Sequence, residues 1–379
     1  MSKILIFQHI VPEYRIAVFR KMHIRFGAVL CHSRQQHTSK IDSAFQNIEY
    51  QNEMIPIQAR WGITQKVVPV LKKHKPQIVI TGVAATYLTY LKLIILRKFF
   101  RYKLIAWGHG VTNREINKPL AGFRGILMRW YLNRADAVIL YSGYRKDLIQ
   151  KAMPKLKSRL FVAWNTLDTD LLKATYDTLQ KKGKEKIKTD LGQKFGSTFN
   201  LIFIGRFLPD KGIDLLLESF NLVVQELDCA LHFIGKGECE SLIAGHPLFG
   251  KSIFIHGAIY DDEITAGYLF VSDLFVMPGY IGLSVVHAFS MGIPVLTCKP
   301  GNKGPFHSPE YEYLTDNENG LLPEADAEQI ADKIIQYCKS ESMQERMSKN
   351  ASQTIYNKFT LENMMSGFED AIAYVSADK

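Results

Sequence analysis

The chain has 379 residues, 47% hydrophobic and 22% charged, with a formal net charge of +10 and five cysteines. Its length suits two domains of roughly 100–200 residues each, and its composition excludes a disordered or fibrous chain. Cys31, Cys229, Cys239, Cys298 and Cys338 form no CxxC pair and stand beside no His at zinc-ligand spacing. That pattern argues for a reducing compartment and against a disulfide or metal framework.

The start, MSKILIFQHIVPEYR, carries one Lys and a short apolar run broken by Gln8, His9 and Pro12. A signal peptide needs a longer apolar core, and no run of about 18 apolar residues suggests a membrane span. The expectation is a cytoplasmic protein. The charge is unevenly placed: residues 1–160 carry 28 Lys+Arg against 7 Asp+Glu, net +21, and the rest 19 against 30, net −11. A basic half of this size points to an anionic partner, whether membrane, nucleic acid or a phosphorylated substrate.

In chain order, short Val-, Ile- and Leu-rich runs at 3–7, 28–32, 77–82, 103–107, 137–142 and 160–165 read as strands. Helical patterns near 14–25, 64–74, 85–101, 120–134 and 143–152 separate them. This alternation predicts a doubly wound parallel sheet. Residues 169–198 are polar and Lys-rich and read as a linker or exposed helix. A second alternation follows, with strands at 199–205, 230–235, 252–257, 273–278 and 294–298 and helices near 212–225, 238–245, 261–271 and 283–291. The stretch from about 326 to 376 is helical in pattern. The expected division is 1–168, 169–198, 199–358 and 359–379, the last a helix that could cross back to the first domain.

Candidate chemistry begins at FIGRFLPDKGIDLLLESF, 203–220. A strand ends at Gly205, Arg206 follows, and Lys211 and Gly212 open an amphipathic helix. Two cations and a helix N-terminus suit a diphosphate. HFIGKGE (232–238), SIFIHGAIYDDEI (252–264), VAWNTLDTDLL (162–172) and DLFVMPGYIGLSVVHAFSMGIPVLT (273–297) come in an order and spacing that carry more weight than any one of them. A dehydrogenase is excluded, because no GxGxxG follows the first strand and no acidic residue ends the second.

These segments resemble the family 4 (group 1) glycosyltransferases, over about residues 3–360 and most strongly over 199–322. The resemblance implies the GT-B fold, an α/β architecture of two Rossmann-like doubly wound domains facing across a cleft. It implies a sugar transfer from a nucleoside-diphosphate sugar, a UDP-sugar rather than a GDP-sugar, to a saccharide or lipid-linked saccharide acceptor in cell-surface polysaccharide synthesis, with retention. No other cofactor and no metal is expected, since no D-x-D follows an apolar strand. Arg206 and Lys211 take the diphosphate, with Gly205 between strand and loop. Gly282, Leu283 and Ser284 offer backbone N–H groups to a phosphate or sugar oxygen.

The chain departs from the family pattern after Pro278. The loop to Gly282 is about three residues short, the first Glu of the family's E-x7-E pair is missing, and His287 replaces the second. A neutral His can still pair with a ribose hydroxyl. Glu312 aligns with a family Glu that meets sugar or ribose hydroxyls, and Glu310 is a possible neighbour. Asn165 and Asp168 fall on the family's polar pair at the domain junction. In KLIAWGHGVTN, His109 matches a His that contacts the donor sugar and is the leading catalytic candidate. Tyr14 and Arg15, in PEYRIAVFRKM, match an acceptor-side segment.

YLKLIILRKFFRYK (90–103) and FRGILMRWYLNR (123–134) combine basic, apolar and aromatic residues, as helices lying on an anionic membrane do. Peripheral association at the cytoplasmic face is therefore expected. No nucleic-acid module is recognisable. Two other readings stand beside the leading one: a sugar-nucleotide epimerase of related fold, and a GT-B binding protein that has lost catalysis. The oligomeric state is not legible.

Overall fold

A computed structural model of the chain describes residues 3–33, 47–50, 52–54, 63–111, 119–192, 195–302 and 304–377. It divides into two units, Met1–Asp168 with Leu361–Lys379, and Thr169–Thr360.

The first unit begins β1 (Ile4–Phe7), α1 (Ile16–Phe26), β2 (Val29–Ser33), β3 (Asn47–Tyr50), β4 (Asn52–Met54), β5 (Ile63–Gln65), α2 (Val67–His74) and β6 (Ile78–Gly82). It continues through α3 (Leu88–Phe100), β7 (Lys103–Gly108), α4 (Gly122–Arg134), β8 (Ala137–Leu140), α5 (Gly143–Ala152) and β9 (Leu160–Val162). Seven strands form a parallel sheet in the order β3-β2-β1-β6-β7-β8-β9, and β4 and β5 make a small antiparallel pair. Alternate side chains of each strand feed opposite faces. Leu5, Phe7, Leu104 and Ala106 join the core under α2, α3, α4 and α5. Ile4, Ile6, Ile105 and Trp107 join the core on the other face, with Val18, Phe19 and Met22 of α1. Burial on both faces is why these strands read as unbroken apolar runs.

The second unit contains α6 (Thr169–Lys182), α7 (Lys184–Leu191), β10 (Phe199–Ile204), α8 (Ile213–Glu226), β11 (Cys229–Ile234), α9 (Glu240–Ala244), β12 (Ile253–Ile255) and α10 (Asp262–Val271). It continues with β13 (Leu274–Val276), α11 (Ser284–Ser290), β14 (Val295–Leu296), β15 (Gly320–Leu321), α12 (Ala327–Cys338) and α13 (Glu341–Lys358). Its parallel sheet runs β12-β11-β10-β13-β14-β15. Both sheets thus follow the doubly wound order, in which the chain starts centrally, builds one way, and then reverses. The α/β fold with two Rossmann-like units is the one expected from the sequence.

Residues 169–191, expected as a linker or exposed helix, are α6 and α7, and both pack on α10. Leu172, Leu179 and Ile187 supply the buried face and the lysines stay outside. Residues 193–194 lie outside the described set. The last helix, α14 (Leu361–Ala377), belongs to the first unit. Its Leu361, Met364, Met365, Phe368, Ala371 and Val375 form one helical stripe in the core beside α1. Gly367 permits the contact with β9, since a Cβ there would sit 2.0 Å from the Val162 carbonyl oxygen. Among the described residues no helix is long and apolar enough to cross a membrane.

Candidate functional site

In the second unit the strand order reverses between β10 and β13, the position where doubly wound sheets bind ligands outside their carboxyl ends. The loop after β10 carries Gly205, Arg206 and Lys211; the loop after β13 carries Pro278 to Ser284. The two are joined backbone to backbone. Gly279 N–H donates to the Lys211 carbonyl at 2.9 Å, and Tyr280 N–H to the Asp210 carbonyl at 2.7 Å. Only glycine fits at 279: a Cβ would lie 2.2 Å from the Asp210 carbonyl oxygen and 2.3 Å from the Lys211 carbonyl carbon.

Lys211 Nζ donates to the Tyr280 carbonyl at 2.7 Å and lies 4.5 Å from the Tyr280 ring centroid. An ammonium has three donors, so the carbonyl does not exhaust them and a side remains for a ligand. Burial lowers the Lys211 pKa; Arg206 adds to the shift and Asp210 opposes it. Arg206 is exposed at the end of β10. Two cations at one strand switch point can hold a diphosphate and stabilise charge developing on a leaving phosphate.

A third loop pins this arrangement. Ile281 N–H donates to His307 Nδ1 at 3.3 Å, so Nε2 carries the proton and donates to the Cys298 carbonyl at 2.8 Å. Tyr311 stacks on the His307 ring at 4.5 Å. Burial, with a smaller push from Lys211, lowers the His307 pKa to about 4 although its bond to Cys298 opposes. Ser308 N–H donates to the Ile281 carbonyl at 3.0 Å, and its hydroxyl bonds the Tyr280 hydroxyl.

Gly282 and Leu283 lead directly into α11, which starts at Ser284. His287 lies within α11, partly buried, its pKa lowered by burial against the opposing charge of Asp262. Glu312 lies in the short 3-10 helix Pro309–Tyr313. It is exposed and lines a cavity of about 400 Å³ with Thr315, Glu318, Asn350 and Gln353. Glu310, two residues earlier, is the buried carboxylate. Among the described residues no group of three His, Cys, Asp or Glu side chains is placed to hold a metal.

The first unit has its own cluster beyond β7 and β8. His109 is exposed and packs edge-on to Tyr141, with centroids 4.8 Å apart. The protein around it, and then the cations of Arg145 and Arg15, lower its pKa from the ordinary value, so the ring is neutral at physiological pH. Arg15 was expected on the acceptor side. It is buried, 4.7 Å from the Trp107 ring and 4.9 Å from the Tyr141 ring, and donates to Asn165 Oδ1 at 3.2 Å. Tyr14 is 43% exposed.

Three residues that hold the second-unit site were not singled out from the sequence: Tyr280, His307 and Ser308. The shortened loop was the available signal for Tyr280. Gln65 was missed in the first unit. Its amide donates to the Gln8 carbonyl and the Ser33 hydroxyl, each at 2.9 Å, and accepts from Tyr87 at 2.5 Å.

Residues 185–354 match the family described as Glycosyl transferases group 1. The uncharacterized glycosyltransferase MJ1059 of Methanocaldococcus jannaschii is 25% identical over 257 residues, 63% of this chain and 60% of that protein. N-acetyl-alpha-D-glucosaminyl L-malate synthase of Bacillus anthracis is 24% identical over 192 residues, 48% of each chain. The chain thus spans at most about 60% of the length of these curated relatives. Among solved structures, Anabaena HepE in complex with UDP aligns with a TM-score of 0.69 at 15% identity, covering 98% of this chain and 100% of that one. A glycosyltransferase from Rickettsia africae aligns at 0.70 and 17%, covering 99% and 98%.

Proposed function

We propose that this protein, whose residues 185–354 match the group 1 glycosyl transferases, moves a sugar from a nucleoside-diphosphate sugar to a saccharide or lipid-linked saccharide in cell-surface polysaccharide synthesis. The donor is a UDP-sugar, and the anomeric configuration is retained. The reading is carried by one observation: Arg206 and Lys211 leave the carboxyl end of β10, and Lys211 is fixed by the loop that leaves β13. In this role Lys211 and Arg206 neutralise the leaving diphosphate, as fixed charges do at low reorganisation cost. The amides of Gly282, Leu283 and Ser284 take phosphate or sugar oxygens, and His287 a ribose hydroxyl. Neutral His109 exchanges a hydrogen bond with a sugar hydroxyl. HepE, of the same fold, has been solved with UDP, and a Staphylococcus aureus relative, 26% identical over 168 residues, is named poly(ribitol-phosphate) alpha-N-acetylglucosaminyltransferase.

The first unit holds the acceptor and rests on an anionic membrane. Ile95 and Phe99 of α3 and Phe123, Ile126 and Trp130 of α4 are exposed, Phe99 and Phe123 at 77%. Lys98, Arg101 and Arg124 are exposed on the same segments. Incubation with UDP- and GDP-sugars and a lipid-linked saccharide, followed by mass spectrometry, tests the activity. Acceptor-dependent release of UDP is expected. Donor turned over without acceptor would favour an epimerase, and no turnover of any donor would leave a binding protein.

A further inference from the structure

Lys211 is oriented by the residue that occupies the shortened loop. Tyr280 meets the ammonium twice, through its carbonyl at 2.7 Å and its ring centroid at 4.5 Å. Tyr280 is itself fixed from two sides: its N–H donates to the Asp210 carbonyl, and its hydroxyl bonds Ser308. The carbonyl uses one ammonium donor and the ring closes a second side, so the cation is presented in a single direction. A lysine is otherwise a point charge on a flexible four-carbon stem. Holding it in place removes the rotamer freedom that a diphosphate would otherwise have to freeze.

We propose that Tyr280 is a positioning residue for diphosphate recognition, acting through Lys211: its ring and carbonyl aim the ammonium, and Ser308 locks the ring. This rests on the reading of Lys211 as a diphosphate ligand. Tyr280 touches no transferred atom and contributes no proton.

UDP binding to the full chain, measured by titration calorimetry, separates this role from general support of the loop. Tyr280→Leu keeps the carbonyl and removes the ring. UDP binding should weaken by about 2- to 30-fold, the span of a cation–π contact from exposed to desolvated settings. Tyr280→Phe keeps the ring over Lys211 and should recover most of that loss. The deciding comparison is a double-mutant cycle. In a Lys211→Ala background, Tyr280→Leu should cost nothing more, because the group it orients is gone. Equal weakening in both backgrounds would overturn the proposal, since the ring would then act independently of Lys211. So would wild-type binding by Tyr280→Leu while Lys211→Ala binds poorly. If Lys211→Ala binds UDP as the wild type does, the diphosphate reading falls and the proposal with it. Should Tyr280→Leu not fold, Tyr280→Met carries the same cycle.

Discussion

Acid should loosen the second unit through His307. In the folded chain its Nδ1 accepts from Ile281 and its Nε2–H donates to Cys298, a pattern only the neutral ring can make. Protonation would set an N–H against the Ile281 N–H inside a buried site. The folded pKa is about 4, against about 6.5 in the unfolded chain. The sign follows: between those values the unfolded chain binds the proton and the folded chain does not, so falling pH favours unfolding. Stability is full above about 6.5 and is lost as pH falls to 4. A gap of about 2.5 units at 1.36 kcal/mol each gives about 3 kcal/mol from this one group. Urea unfolding followed by far-ultraviolet circular dichroism, from pH 7.5 to 4, measures it. His307→Gln cannot titrate and should flatten the pH dependence by that amount. Parallel curves for variant and wild type would refute the reasoning, as would an NMR titration placing His307 near 6.5.

Four further outcomes are expected. Gly279→Ala should part the loops after β10 and β13, weakening UDP binding at least tenfold (about 1.4 kcal/mol); unchanged affinity in calorimetry would mean the loops yield without consequence. Arg206→Ala or Lys211→Ala should lower kcat by about 10²–10³ with the fold intact by circular dichroism, the usual cost of losing a preorganised charge stabiliser. His109 is neutral well below pH 6, so the kcat profile should show no His109 inflection between pH 6 and 8; an inflection there that vanishes in His109→Gln would contradict this. Replacing Phe99, Phe123 and Trp130 together by Ser should abolish sedimentation with phosphatidylserine vesicles but not with the protein's catalytic turnover of a soluble acceptor, because these side chains are exposed.

The alternation of apolar runs made both sheets legible because their central strands are buried on two faces. β3 and the β4–β5 pair were not, since NIEY, NEM and ITQ carry no such run. β14 and β15 are two residues each; the first lay within an expected strand and the second was not expected. The Lys-rich 169–198 region left linker and exposed helix both open, because its composition hid Leu172, Leu179 and Ile187 at helical spacing. Arg206 and Lys211 could be found because cations flanking a strand end and a helix start are a local pattern. Tyr280, His307 and Ser308 could not, because their contacts to Lys211, Asp210 and Ile281 and to one another join positions 26–70 residues apart in sequence only after folding. Arg15 was matched to an acceptor-side segment, and its burial was not legible because Trp107, Tyr141 and Asn165, which surround it, come from three later segments.

The central claim is that the loops after β10 and β13 hold a nucleoside diphosphate. Its most direct test is thermal unfolding with UDP, GDP, ADP, CMP and dTDP, and NAD as control. At 100 times its dissociation constant a ligand adds about 2.7 kcal/mol of stability. The account predicts a raised melting temperature with UDP that is lost in Lys211→Ala. No shift with any nucleotide, or a UDP shift that survives Lys211→Ala, would contradict it.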